Sequence, residues 1–129
     1  MSPSLCRLKR RSEFLRTAAA GLKWVTPGVI VQARQREADG EGPRVGYTVS
    51  KKVGNAVQRN RARRRLRAAA DDVLAARGDA AFDYVLIGRK STLDRPFDAL
   101  LGDLNDAVAG IGRKVRRTDG RPESGEPGS

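Results

Sequence analysis

From Arg44 to Arg67 the chain reads RVGYTVSKKVGNAVQRNRARRRLR, with nine positive side chains and no negative one. Any fold must draw a strand and a helix from this stretch and still leave those cations at its surface. The whole chain has 26 Lys+Arg against 15 Asp+Glu, a net charge of +11, and outside this stretch 17 cations face 15 anions. The excess charge is therefore local. Ordinary solvated helix faces mix signs. An unmixed patch is the footprint of a polyanion, because each phosphate neutralised releases condensed counterions. Nucleic acid is the expected partner.

The same stretch has local form. Val45, Tyr47 and Val49 alternate with Gly46, Thr48 and Ser50, the pattern of a strand with one buried face. Lys51 to Gly54 turn the chain, and Asn55 with Gln58 three residues later resembles a capping box. A helix is predicted from there to about Arg77, ended by Gly78. Ala62, Leu66, Ala69, Ala70, Val73 and Leu74 have the spacing of its buried face.

A chain of 129 residues makes one domain with a modest core, which is aliphatic because aromatic residues are only 5%. A single cysteine, Cys6, excludes an internal disulfide and fits a reducing cytoplasm. No apolar run approaches the ~20 residues that span a bilayer, and no apolar segment follows the basic N-terminus as in a secretory signal.

In chain order, residues 1–11 are polar and basic, with Leu5 and Leu8 as docking points. Ser12 is expected to cap a short helix bearing Phe14 with Ala18 and Leu15 with Ala19, closed by Gly21. Arg7, Lys9, Arg10, Arg11 and Arg16 form a second, smaller basic cluster there. Trp24 to Pro27 lead into a strand near Val29–Arg34, and READGEGP (36–43) reads as a hairpin connection to the next strand. FDYVLIG (82–88) is a continuous apolar run, expected as an inner strand covered on both faces. Asp94 before Arg95-Pro96 is expected to start a last helix with Phe97, Leu100, Leu101, Leu104 and Val108 as its stripe and Gly110 as its stop. Residues 1–115 are taken as the domain. Residues 116–129, without apolar side chains, are taken as a disordered tail. The order of elements supports an α+β fold, a two-layer sandwich of a small mixed sheet and helices packed mainly on one face.

The chain lacks the parts of a nuclease. It has no His, which removes the usual general base and metal ligand. Hydrolysis of a phosphodiester typically uses metal ions clamped by carboxylates. Here Asp71 and Asp72 sit at the far end of the basic helix, while Asp94, Asp98, Asp103 and Asp106 are expected on the exposed side of the last one. The chain alone should not be catalytic.

The run Arg44-Val45-Gly46, then Thr48 through Val57 (TVSKKVGNAV), then Arg59-Asn60-Arg61 closely resembles the signature of the bacterial ribonuclease P protein subunit. Weaker similarity extends over roughly residues 5 to 112. The resemblance implies a sandwich with a left-handed β-α-β crossover around the basic helix, a hand that the residues alone do not indicate. It further implies a holoenzyme whose RNA subunit is the catalyst and holds the Mg²⁺ ions. The protein itself would bind no cofactor, need no obligate protein partner and touch no membrane. Its partners would be the catalytic RNA subunit and precursor tRNA, whose 5′ leader is removed. Carried onto this sequence, the leader cleft would hold Phe14, Thr48, Arg59, Asn60, Arg63 and Arg67. The face toward the catalytic RNA would hold Arg44, Lys51, Lys52, Arg61, Arg64 and Arg65. Where many relatives place further cleft aromatics, this chain has Ala18 and Gln32, so leader binding here should lean more on charge.

Helical angles sharpen this division. With Leu66 at zero, Arg59, Arg63 and Arg67 fall at roughly 20°, 60° and 100° and Asn60 near 120°, a ladder along one border of the buried stripe. Arg61, Arg64 and Arg65 fall at roughly 220°, 160° and 260°, on the outer side. The ladder heads should emerge where helix meets sheet, with Thr48 completing the cleft. Two other readings compete with this one. A general RNA-binding or ribosome-associated protein would share the charge, whereas a leucine-zipper basic region is excluded because the helix stops at Gly78 before any heptads.

Overall fold

A computed structural model describes residues 6–35, 43–77 and 82–118. The elements are β1 (Cys6–Arg7), α1 (Arg11–Ala19), β2 (Leu22–Val25), β3 (Val29–Gln35), β4 (Arg44–Thr48), α2 (Ala56–Arg77), β5 (Phe82–Gly88), a 3-10 turn (Lys90–Leu93) and α3 (Phe97–Thr118). The strands form one mixed sheet in the order β1-β4-β5-β3-β2.

The apolar run of β5 sets this order. Six of its seven residues are buried and Ile87 is half-buried, so it takes the centre, parallel to β4 and antiparallel to β3. That placement overturns the expected hairpin. β3 and β4 are not neighbours, because β5 lies between them, and residues 36–42 of the connection fall outside the described residues. A strand apolar on both faces gains most where neighbours on both edges keep water away, and β3 and β4 provide those edges. β4, α2 and β5 thus form a parallel β-α-β unit. The strand β1 adds to the expected elements. Two residues are too few to show alternation, yet Cys6 and Arg7 pair in parallel with Arg44 and Val45. Leu8 then donates its N–H to the Val45 carbonyl at 3.0 Å and buries its side chain, as a docking point should.

Register places Leu22, Ala33, Tyr84 and Val45 in one row across the sheet and Trp24, Val31, Leu86 and Tyr47 in the next. This face carries the core, covered by α2 over β4 and β5 and by α3 over β2 and β3. All six residues expected on the buried face of α2 are buried. Its start is as read: the Asn55 N–H donates to Gln58 Oε1 at 2.8 Å and the Gln58 N–H to Asn55 Oδ1 at 2.9 Å.

The opposite face carries α1. Strand pleating turns Gly46 away from Val45 and Tyr47. A Cβ on Gly46 would lie 2.5 Å from the Phe14 ring, so glycine is what lets α1 approach. α1 itself departs from the expected pattern. Ser12 is not its cap. The Glu13 carboxylate instead takes the N–H groups of Lys9 and Arg10, both at 3.0 Å. Leu15 is 57% exposed and Ala18 and Ala19 are exposed, whereas Thr17 is buried with its hydroxyl donating to the Glu13 carbonyl at 2.9 Å. A helix with so little apolar surface packs on the sheet through Phe14 and Thr17, with Glu13 reaching Arg44 of β4 at 3.5 Å.

α3 differs from expectation at both ends. It begins at Phe97 after the 3-10 turn, and the carbonyl of Pro96, not Asp94, receives its first long-range N–H, from Leu100 at 3.0 Å. It runs through Gly110 to Thr118, past the expected boundary at 115, while residues 119–129 of the tail lie outside the described residues. Gly110 is a packing position: a Cβ there would lie 2.7 Å from three atoms of the Trp24 ring. Along the stripe Leu100, Leu104 and Val108 are buried, Leu101 is half-buried and Phe97 is 39% exposed. Asp103 is not on the exposed side. It is buried, accepts the Gly28 N–H at 3.0 Å and pairs with the Arg95 guanidinium.

Two substitutions probe this packing. Gly110→Val drives two methyls toward the indole and should cost about 2 kcal/mol by overpacking, read as a lower denaturant midpoint and shifted emission of the single tryptophan. Asp83, wholly buried on β5, accepts from Arg44 Nε at 2.8 Å, from a second Arg44 nitrogen at 3.0 Å and from Arg34 at 3.1 Å. Asp83→Ala would take from Arg34 and Arg44 their shared carboxylate and should lower stability by about 3 kcal/mol, checked by the same titration.

Candidate nucleic-acid interface

α2 holds its cations on a rod braced from beneath by Ala62, Leu66, Ala69 and Ala70. Its ladder follows the border above β4. Arg59 and Arg63 are half-buried, Asn60 and Arg67 exposed. Arg63 donates to Asn60 Oδ1 at 3.1 Å, and the Arg67 guanidinium lies over the Tyr47 ring, 5.9 Å from its centroid. Burial, with a smaller push from the Asp71 carboxylate, raises the Tyr47 phenol to about 12 against the opposing charges of Arg67 and Arg7. Tyr47 is therefore a neutral hydrogen-bonding group at any working pH.

Thr48 and Phe14 do not share a layer with that ladder. Thr48 lies in a row with Ile87, Ile30 and Val25 on the face that carries α1, and Phe14 packs against Gly46 on the same face. The single cleft expected between α2 and the sheet is therefore not what the chain builds. The two groups meet only around β4, whose outer edge is paired with β1 at Arg44 and Val45 and not from Gly46 to Thr48. Phe14 is half-buried in the contact between α1 and the sheet. Ala18 is exposed on α1, and Gln32 is half-buried on the sheet face that α1 covers in part.

The outer set divides as well. Arg61, Arg64, Lys51 and Lys52 are exposed, the last two in the turn before α2. Arg65 is not on the outside. It is half-buried at the other border of the stripe and donates to the Arg95 carbonyl, while its Nε is buried without a hydrogen bond. At roughly 260° a side chain is only one helical step from the core, and the 3-10 turn region covers it there. Arg44 is half-buried and compensated, held by Asp83 and, at 3.5 Å, by Glu13. It orders the strand more than it presents charge.

The smaller basic cluster gains a shape that the sequence did not reveal, because β1 was invisible in it. Cys6, Arg7, Lys9, Arg10, Glu13 and Arg44 line an open groove of about 390 Å³ between β1 and α1. Its one acid, Glu13, is held below the usual carboxylate range by the backbone N–H groups of Arg10 and Lys9, helped by the Arg44 and Arg10 charges and opposed by burial. Among the described residues no three His, Cys, Asp or Glu side chains converge on a common point. The buried acids are instead spent on arginines and backbone, Asp83 with Arg34 and Arg44, Asp103 with Arg95 and Gly28.

Known proteins share both sequence and shape with this chain. The sequence profile of the Ribonuclease P family matches residues 3–112. The ribonuclease P protein component of Paramagnetospirillum magneticum is 52% identical over 115 residues, covering 87% of this chain and 86% of that one. That of Ruegeria pomeroyi is 54% identical over 109 residues, covering 83% and 86%. The Staphylococcus aureus RNase P protein superposes with a TM-score of 0.67 at 26% identity, over 85% of this chain and 97% of that one. The Thermotoga maritima RNase P protein gives 0.67 at 25%, over 79% and 94%. With a matching profile over most of its length, close relatives and the same mixed sheet, this chain belongs to the ribonuclease P protein family.

Proposed function

We propose that this chain is the protein subunit of a ribonuclease P, binding the catalytic RNA and the 5′ leader of precursor tRNA while the RNA performs the cut. The observation that carries this reading is the exposed cation set of α2, held on a rigid helix with no acid in its half of the rod. A planar guanidinium binds phosphate through two parallel hydrogen bonds, which suits both a folded RNA surface and a single strand. The reading places the protein in the cytoplasm with its RNA. It also leaves Mg²⁺ to the RNA subunit, since the described acids are committed to arginines or scattered over separate elements. The protein's own residues then bind and orient, lowering the cost of bringing leader and catalyst together.

On this reading the labour is divided differently from what the resemblance implies. Arg63 and Arg67, with Thr48 around the β4 edge, suit the leader. Arg61, Arg64, Lys51 and Lys52 suit the catalytic RNA, and Arg44 and Arg65 serve as internal braces.

Purified RNA-free protein with Mg²⁺ should leave precursor tRNA intact, and adding the cognate RNA subunit should restore cleavage at the mature 5′ end. Specific 5′ cleavage without RNA would overturn the reading, and RNA binding without any gain in cleavage would favour a general RNA-binding protein. Within the holoenzyme, Arg63→Ala with Arg67→Ala should weaken binding of long-leader substrates about tenfold, leaving short-leader substrates and assembly unchanged. Arg61→Ala with Arg64→Ala should instead flatten the salt dependence of assembly by about one unit of slope for each phosphate no longer neutralised. Equal losses of both properties from both pairs would show one undivided surface.

A further inference from the structure

The far edge of the sheet carries a second concentration of positive charge. From Ala107 to Thr118 there is no acid, and the end of this run holds Arg113, Lys114, Arg116 and Arg117. The helix continues unbroken through these positions, beyond residue 112 where the family profile ends. α3 packs over β2 and β3, so its C-terminal end comes to the β2 edge, with Trp24 against Gly110. α2 lies over β4 and β5, toward the opposite edge. Lys23, exposed on β2, adds a charge at the same edge from the other face of the sheet, because pleating turns it away from Trp24.

Cations in a last helical turn offset the helix dipole. Four of them, joined by a lysine from another element, exceed that role. The arrangement around Trp24 says what kind of partner fits. Arg113 lies over its ring at 5.9 Å from the centroid and Lys114 at 5.5 Å, and Lys114 also donates to the Lys23 carbonyl at 3.1 Å. Gly110 packs on the same indole. The ring is half-buried, with its α3 side taken by these groups, whereas binding of an unstacked single strand depends on open aromatic faces beside the charge. Cations such as Arg113 and Lys114, held against a half-buried indole and not beside an open aromatic face, suit the backbone of a folded RNA.

We infer that the β2–α3 edge, with Lys23 and Arg113 at its centre, is a second docking surface for phosphates of the catalytic RNA subunit, separate from α2. The inference rests on the reading of the chain as a ribonuclease P subunit. With one RNA held at two opposite edges, the sheet would act as a spacer of fixed width between two RNA segments.

The test is salt-dependent assembly of full-length protein with the cognate RNA subunit, followed by leader binding to the assembled holoenzyme. Lys23→Gln with Arg113→Gln should flatten the assembly slope by about two units, and this loss should add to that of Arg61→Ala with Arg64→Ala. Arg113→Lys should keep the wild-type slope. Because Arg113 lies on Trp24, melting temperature and tryptophan emission must match wild type for the pair to count. Lys23→Glu, which leaves the indole cover untouched, should by itself weaken assembly at low salt. An unchanged slope in the double variant together with unchanged assembly for Lys23→Glu overturns the inference. A loss confined to precursor tRNA binding overturns it too, since the occupant would then be the substrate. Failure of the wild-type protein to bind the RNA subunit would refute the underlying reading instead.

Discussion

The structure depends on covering β5 from every side. Its run of apolar side chains can be stable only with a helical layer beneath, a second layer above and a strand along each edge. β4 takes one edge and β3 the other, which forces the chain between β4 and β5 to cross over the sheet as α2. The basic helix is thus not an appendage. It is the connection that the central strand requires, and its buried alanines and leucines are shared with the core while its arginines are not.

Charge is sorted by depth in the same way. Arginines whose positions bring them against the core are matched internally: Arg44 and Arg34 on Asp83, Arg95 on Asp103, Arg65 on a carbonyl. Those left at the surface of α2 have no carboxylate on their own half of the helix, where Arg63 meets only the neutral Asn60 amide and Arg67 the Tyr47 ring. A buried charge stripped of its partner destabilises strongly, whereas an exposed one is hydrated and free to exchange water for phosphate. Telling an internal brace from a solvent-facing arginine therefore needs the three-dimensional neighbours of each, which a helical wheel cannot supply.

What could be read from the residues follows the same division. The inner strand, the Asn55–Gln58 cap and the buried face of α2 were legible because each is a local pattern of spacing or hydrogen bonding. The pairing order was not, since a loop rich in Gly and acids between two strands looks like a hairpin until a third strand claims the space between them. β1 was too short to carry a period. Gly110 misled because glycine has two uses at a helix, ending it or admitting a neighbour, and the neighbour is Trp24, from the other end of the sequence. The site was legible in composition and only partly in layout: Phe14 and Thr48 are separated from the ladder by the thickness of the sheet, and the wheel knows nothing of sheets.

The central position of β5 also sets a timetable for synthesis. Chains emerge from the ribosome N-terminus first, and domains fold as units. β3 and β4 are made early, yet neither has its inner neighbour until residues 82–88 appear. Until then each presents an unpaired edge, the kind of surface through which nascent chains stick to one another. The segment synthesised in that interval is α2, the most highly charged part of the protein. Its like charges repel those of other copies at the stage when the sheet is open, which opposes edge-to-edge association of unfinished chains.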